Sequence, residues 1–118
     1  MCADSDPRRL EAVAREFPDQ ATLRSAEAVI ADPTIEGVCI ATPAATHYDL
    51  ARAALLAGKH VYVEKPLTLN PDHALDLARL AEERSRVLTV GHIFRYSYGA
   101  REVKRMIDTG EIGEVLYL

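Results

Sequence analysis

Short apolar runs alternate with amphipathic helical patterns at intervals of about two dozen residues, and this alternation constrains the fold more than any other feature. The apolar runs lie at residues 1–4, 20–23, 35–42, 61–63 and 87–90. Repeated strand, helix, strand units form right-handed crossovers between parallel strands. The sequence therefore predicts an α/β fold with a doubly wound, mostly parallel sheet.

Start signals mark the predicted helices between these runs. Asp6 and Asn70 each precede a proline, which is typical of a capping residue followed by the first helical position. The other expected helix starts are Ser25, Thr46 and Tyr98. The last helix is expected to run to about Thr109, with Gly110 after it, and residues 115–118 are expected to begin a further strand.

Length and charge limit the possible partners. A chain of 118 residues fits one domain, and a net charge of -4 without a basic cluster argues against nucleic acid or an anionic membrane. No apolar run approaches the roughly 20 residues that a membrane span needs. Because no signal peptide is recognisable, the expected setting is the cytoplasm. The charge leaves a small molecule as the expected partner.

The two cysteines, Cys2 and Cys39, lie far apart and have no histidine at metal-ligand spacing. Neither a disulfide framework nor a metal site is therefore predicted. Cys39 lies within the continuous apolar run of the third strand, which is typical of strands covered on both faces. We expect its thiol to be buried as a small apolar group.

Polar residues follow the third strand in the segment Thr42-Pro43-Ala44-Ala45-Thr46-His47. Because this segment enters a helix, its N–H groups and hydroxyls suit ribose hydroxyls or phosphate. The alternative is that Thr46 is only a helix cap and His47 a surface residue of the first turn.

Glu64 and Lys65 follow the fourth strand, where ligands bind in open α/β sheets. An acid and a base at this place can bond a sugar hydroxyl and move a proton. Partial burial would favour the neutral amine of Lys65 and suit it to accept that proton. The alternative is a solvated ion pair at the end of a strand.

Two further charged residues follow predicted strands. Arg95 is a planar, bidentate donor for phosphate or carboxylate, with Tyr96 beside it for stacking, although such pairs also occur as surface packing. Asp4 lies at the end of the first visible strand, where dinucleotide folds place an acid that receives the adenosine ribose hydroxyls and disfavours a 2'-phosphate. Its alternative role is to cap the following helix.

Taken together, the motifs resemble one family. Asp4 is followed by T-P-x-x-x-H at residues 42–47, A-G-K-H-V-Y-V-E-K-P at 57–66, G-H-x-x-R-Y at 91–96 and G-x-I-G at 110–113. This order resembles the Gfo/Idh/MocA oxidoreductases, the glucose-fructose oxidoreductase and inositol dehydrogenase family. The ten-residue run is the most specific part, and the motifs span nearly the whole chain.

The resemblance implies an NAD-binding Rossmann domain, with NADP possible, and a sugar or polyol substrate. Thr42, Pro43 and His47 would line the cofactor, and Glu64 and Lys65 would lie beside the nicotinamide ribose. In that family the lysine of the E-K-P motif takes part in the proton transfer that accompanies hydride transfer, so Lys65 would be catalytic. Other implied cofactor contacts come from Asp4 and Arg95, and the intact protein would be a homo-oligomer.

The resemblance also implies that parts of the family architecture lie outside this chain. No G-x-G-x-x-G occurs, so the first strand and the glycine-rich loop are expected before residue 1. Residues 1–113 would be a partial nucleotide-binding domain, and 114–118 the start of a second α/β domain. The isolated chain is then expected to be a catalytically inert fragment; the alternative is a non-catalytic nucleotide-binding remnant with a regulatory or assembly role.

Overall fold

The computed structural model describes residues 1–23 and 25–116, in which strands and helices alternate along the chain. The strands are Cys2–Ala3 (β1), Thr22–Leu23 (β2), Gly37–Ile40 (β3), His60–Val63 (β4) and Leu88–Val90 (β5). The helices are Pro7–Glu16 (α1), Ala26–Ala31 (α2), His47–Leu56 (α3), Pro71–Glu83 (α4) and Tyr98–Asp108 (α5). Two 3₁₀ turns, Ala44–Thr46 and Ile93–Tyr96, follow β3 and β5.

All of these strands pair in parallel, but they form two separate sheets. One sheet pairs β1 with β2, and the other has the order β3-β4-β5. These sheets correspond to the two wings of a doubly wound fold, so the predicted fold class is confirmed. β1, which Asp4 follows, is not paired with β3, the strand that contains Val38.

The core lies on one face of the larger sheet, where α3 and α4 pack against the strands. The buried core residues are Ile40, Ala51, Ala54, Leu55, Val61, Val63, Leu77, Leu80 and Ala81. Side chains alternate along a strand, so Val61 and Val63 face this core while Tyr62 belongs to the opposite face. The buried core cluster therefore lies between the β3-β4-β5 sheet and the helices α3 and α4.

The opposite face of this sheet carries Cys39, Tyr62 and Thr89, which are direct neighbours across the three strands. Cys39 is exposed, and the other two side chains are half-buried. The predictions that Cys39 is buried and that its strand is covered on both faces are therefore wrong. The continuous apolar run did not reveal that α3 and α4 cover only one of those faces.

Most of the predicted helix caps are confirmed. The side chains of Asp6, Ser25 and Asn70 accept hydrogen bonds from backbone N–H groups in the first turns of α1, α2 and α4. Thr46 is an exception, because a 3₁₀ turn precedes α3 and the Thr46 hydroxyl donates to the Pro43 carbonyl at 2.8 Å. The prediction of a Thr46 side-chain cap is therefore wrong.

Lys59 connects the end of α2 to the start of β4. Only 3% of this residue is exposed, and its Nζ donates to the carbonyl oxygens of Asp32 at 2.7 Å and Ile35 at 2.8 Å. Because α2 also contacts β1 and β2, this link helps to hold the two sheets together. The lysine of the A-G-K-H run is therefore a structural residue.

The described helices are short, and α4 is the longest of them with 13 residues. In the described ranges, no helix has the length and apolar character needed to cross a membrane. Gly110 follows α5 with a φ of 72°, in agreement with its predicted place after the helix. Val115 and Leu116 are not in a strand, contrary to the prediction, and residues 117–118 lie outside the described ranges.

Candidate active site

Strands β3, β4 and β5 end at the same edge of their sheet. Ile40, Val63 and Val90 are aligned across the three strands. The pairing continues one residue further, where the Glu64 N–H donates to the Ile40 carbonyl and the Gly91 N–H to the Val63 carbonyl, both at 2.9 Å. The polar segments that follow the three strands therefore leave the sheet side by side, as expected of a ligand site in this fold class.

The side chain of His47 joins two of these segments. It is 1% exposed, and its ring nitrogens Nε2 and Nδ1 lie 2.8 Å from the carbonyl oxygens of Thr42 and Pro66 respectively. The alternative of a surface histidine is therefore wrong, because the ring fills the space between the two loops. Its expected role in lining a cofactor stays a prediction.

Thr42 presents its hydroxyl at the exposed rim of the same edge, next to Pro43. The Oγ1 atoms of Thr42 and Thr46 are 2.7 Å apart, and the single hydroxyl proton of Thr46 is donated to Pro43. Thr42 must therefore be the donor to Thr46. This arrangement leaves lone pairs of Thr42 Oγ1 as acceptors for a ligand hydroxyl.

Two protein donors hold the carboxylate of Glu64. The Tyr62 hydroxyl donates to Oε1 at 3.3 Å, and the backbone N–H of Lys65 donates to Oε2 at 3.2 Å. Burial of the phenol, followed by the negative charge of Glu64, raises the pKa of Tyr62. The phenol therefore remains a hydrogen-bond donor at neutral pH, and the carboxylate keeps further lone pairs for a ligand.

Lys65 contacts Glu64 through its backbone and not through its ammonium group. Within the described ranges, no ion pair shorter than 4.0 Å joins the two side chains. The alternative of an ion pair is therefore wrong. Lys65 is also exposed, contrary to the expected partial burial.

An open pocket of about 340 Å³ lies beside Lys65 at this edge. Its other lining residues are Gly91, His92, Ile93, Phe94 and Arg95. The 3₁₀ turn after β5 thus brings Arg95 to the same pocket as Lys65, while Tyr96 is 63% exposed. Two cationic side chains next to a carboxylate can bind a ligand that carries both hydroxyl groups and negative charge.

Asp4 follows a strand of the other sheet. Its Oδ1 accepts from the Asp6 N–H at 2.8 Å, and its Oδ2 lies 3.5 Å from Arg9 Nη1. The carboxylate thus stabilises the start of α1. This role is similar to the alternative considered above, in which Asp4 caps that helix. Its predicted contact with the adenosine ribose stays a prediction.

The residues at the edge of the larger sheet fit the nicotinamide ribose part of a dinucleotide. Thr42 and Glu64 present acceptor oxygens of the kind that ribose hydroxyls need, and the pocket beside Lys65 is open. Gly91 contributes space, because a Cβ there would lie 2.7 Å from Tyr62 Oη and 2.9 Å from Glu64 Oε2. Across the described part of the chain, no group of three or more His, Cys, Asp or Glu residues could hold a metal ion.

Sequence reasoning missed two contributors to this edge, Tyr62 and Gly91. Tyr62 lies two residues before Glu64 on a strand, so alternation places the two side chains on the same face. That signal was available in the sequence. The close approach of Tyr62 and Glu64 to Gly91 was not visible in the sequence, because it depends on the register between β4 and β5.

Residues 1–92 match the family described as an oxidoreductase family with an NAD-binding Rossmann fold, Gfo/Idh/MocA. The chain belongs to this family. The resemblance inferred from the motifs is thereby confirmed, and with it the nicotinamide cofactor class. The match includes Thr42, His47, Glu64 and Lys65.

Relatives of this chain include two dehydrogenases of Bacillus subtilis. The chain is 36% identical to scyllo-inositol 2-dehydrogenase (NADP(+)), over 91% of its own length and 30% of the relative's. It is 37% identical to scyllo-inositol 2-dehydrogenase (NAD(+)), over 92% of its own length and 32% of the relative's. The chain thus spans about a third of the length of these relatives.

A solved structure of myo-inositol 2-dehydrogenase from Lactobacillus plantarum shares the fold. It has a TM-score of 0.88 and 26% sequence identity with this chain. The similarity covers 98% of this chain and 34% of that one. This chain therefore has the same fold as about a third of that dehydrogenase.

Proposed function

We propose that this chain provides the nicotinamide side of the active site in an NAD(P)-dependent dehydrogenase. The reaction is hydride transfer between the cofactor and a secondary alcohol of a sugar or polyol. The observation that carries the proposal is that β3, β4 and β5 end at the same edge of the sheet. Thr42, Glu64 and Lys65 follow these strands there, side by side. The inositol dehydrogenases among the relatives support the substrate class.

Each residue has a defined part in the proposed reaction. The bound nicotinamide ring supplies the hydride acceptor at its C4 atom. Lys65 takes part through Nζ in the transfer of the substrate hydroxyl proton, while Thr42 and Glu64 hold ribose hydroxyls. Pro43 lines the cofactor, and Arg95 binds an anionic group in the pocket.

The adenosine half of the cofactor would lie at the other sheet. Asp4 would accept from the ribose hydroxyls, which favours NAD. Arg9 lies beside it and would accommodate the 2'-phosphate of NADP, so both cofactors remain within the proposal. Residues 1–113 would form the nucleotide-binding unit, and 114–118 would lead out of it.

The surroundings of the protein also belong to the proposal. The free cysteines Cys2 and Cys39 support a reducing compartment, and we propose the cytoplasm. The family resemblance supports a homo-oligomer. We propose no further partner beyond the small-molecule substrate.

A titration of the isotope-labelled chain with NAD⁺ and NADP⁺ tests the cofactor site. The amide resonances of Thr42, Glu64, Lys65 and Arg95 should shift saturably, with a dissociation constant no tighter than roughly millimolar because the sequence has no glycine-rich phosphate loop. Shifts confined to other residues would contradict the proposed site. The isolated chain should not oxidise inositols or sugars, and turnover at a normal rate would contradict the expected division of the active site.

A further inference from the structure

Tyr62, Glu64 and Gly91 form a compact cluster on the face of the sheet opposite the core. Tyr62 and Glu64 are two residues apart along β4 and its extension, so both belong to this face. The register that aligns Val63 with Val90 places Gly91 directly beside Glu64. The Tyr62 hydroxyl, 3.3 Å from Glu64 Oε1, closes the cluster.

Gly91 is needed at this place for a steric reason. A Cβ atom built there would lie 2.7 Å from Tyr62 Oη, 2.9 Å from Glu64 Oε2 and 3.1 Å from Glu64 Cδ. All three contacts involve the outer ends of side chains and none involves backbone. The missing side chain therefore creates the space in which the phenol and the carboxylate meet.

We propose that Tyr62 is a positioning residue, whose hydroxyl orients the Glu64 carboxylate over Gly91 toward the ribose hydroxyls of a nicotinamide nucleotide. This inference rests on the proposed function, because it assumes that Glu64 faces the cofactor. Tyr62 donates to one carboxylate oxygen and the Lys65 N–H to the other. With both oxygens engaged, the carboxylate loses rotational freedom before a ligand arrives, which reduces the cost of binding.

The raised pKa of Tyr62 is consistent with this role, because the phenol stays protonated and able to donate. The Tyr62 side chain is half-buried on this face, with Cys39 and Thr89 as its neighbours across the strands. Removal of the hydroxyl alone should therefore leave the fold intact and release one side of the carboxylate. A purely structural tyrosine would be indifferent to this change.

The first test compares Tyr62→Phe with Tyr98→Phe, which removes a hydroxyl from an 82% exposed tyrosine. Nicotinamide mononucleotide is the probe, because it carries the relevant ribose without the adenosine half. Tyr62→Phe should shift the Lys65 amide proton of the unliganded chain and weaken binding by roughly twofold to tenfold, the range of one hydrogen bond. Tyr98→Phe should change neither quantity.

The second test compares Gly91→Ala with Gly99→Ala, where an added Cβ meets nothing within 4 Å. Gly91→Ala should displace the phenol and the carboxylate, shift the Lys65 amide proton and weaken binding at least as much as Tyr62→Phe. Unfolding curves and the remaining amide resonances establish that each variant is folded.

The inference is overturned if Tyr62→Phe and Gly91→Ala leave the Lys65 amide proton and the affinity at the values of their controls. If the wild-type chain shows no saturable binding of the mononucleotide, the proposed cofactor site fails in this chain. The Lys65 amide proton then still decides whether Tyr62 holds the carboxylate. The two failures are therefore distinguishable.

Discussion

Nδ1 of His47 lies 2.8 Å from the carbonyl oxygen of Pro66, and this contact holds the loop after β4 against the loop after β3. The same ring reaches Thr42 through Nε2. Lys65 immediately precedes Pro66, so the histidine supports the backbone next to the proposed proton acceptor. The T-P-x-x-x-H and E-K-P motifs are thus physically connected.

Replacement of this histidine should be costly. His47→Ala removes the hydrogen bond between the ring and a loop carbonyl group and opens a cavity in a buried site, so we expect a loss of about 2–4 kcal/mol in the free energy of unfolding. Urea denaturation measures the loss, with His92→Ala on an exposed histidine as the control. Equal stability of the two variants would show that the ring does not connect the loops.

Lys59→Met should also destabilise the chain. The thioether side chain fills much of the same space but donates to neither the Asp32 nor the Ile35 carbonyl, so we expect a loss of about 1–3 kcal/mol. The exposed Lys104→Met is the matched control. A loss no larger than that of the control would exclude Lys59 as the link between α2 and β4.

Asp32 should make folding depend on pH in the acid range. Hydrogen bonds from the Thr34 hydroxyl and backbone N–H lower the pKa of this carboxyl from its usual value near 3.8. The folded-state pKa is therefore below the unfolded one, so the contribution to stability is present above the unfolded value and is lost as the pH falls through the folded one.

Asp32→Asn keeps an acceptor for both bonds and removes the titration. The stability difference between the wild type and this variant should therefore shrink as the pH is lowered below about 4. Thr34→Val, which removes the hydroxyl donor but keeps the backbone donor, should weaken the pH dependence only in part. Urea denaturation at several pH values measures both effects, and a constant difference across the range would contradict the assignment.

Lys65 can be tested in a chimera in which this chain replaces the matching segment of the NADP⁺-dependent scyllo-inositol 2-dehydrogenase. In an active chimera, Lys65→Met should lower kcat by about a hundredfold or more, because the proton acceptor is lost, with a smaller change in KM. Lys104→Met in the same chimera is the control, and circular dichroism verifies folding. An unchanged kcat would contradict the catalytic role.

Sequence patterns were reliable where the determining contacts are local. The helix caps at Asp6, Ser25 and Asn70 depend on neighbours two or three residues away, and all three are present. The failed cap at Thr46 is instructive, because a 3₁₀ turn and the Thr42 hydroxyl provide a competing local arrangement. Family motifs also identified the strand ends at which the candidate site lies.

By itself, the sequence determined the order of strands and helices as far as α5, the family and the polar residues that follow each of these strands, because these depend on local periodicity and on specific short motifs. Only the tertiary structure decided which sheet face is covered, so that Cys39 is exposed, and which distant residues meet. His47 with Pro66 and Tyr62 with Gly91 are pairs of this kind. Their contacts depend on the register between parallel strands and on the packing of helices, which no local pattern records.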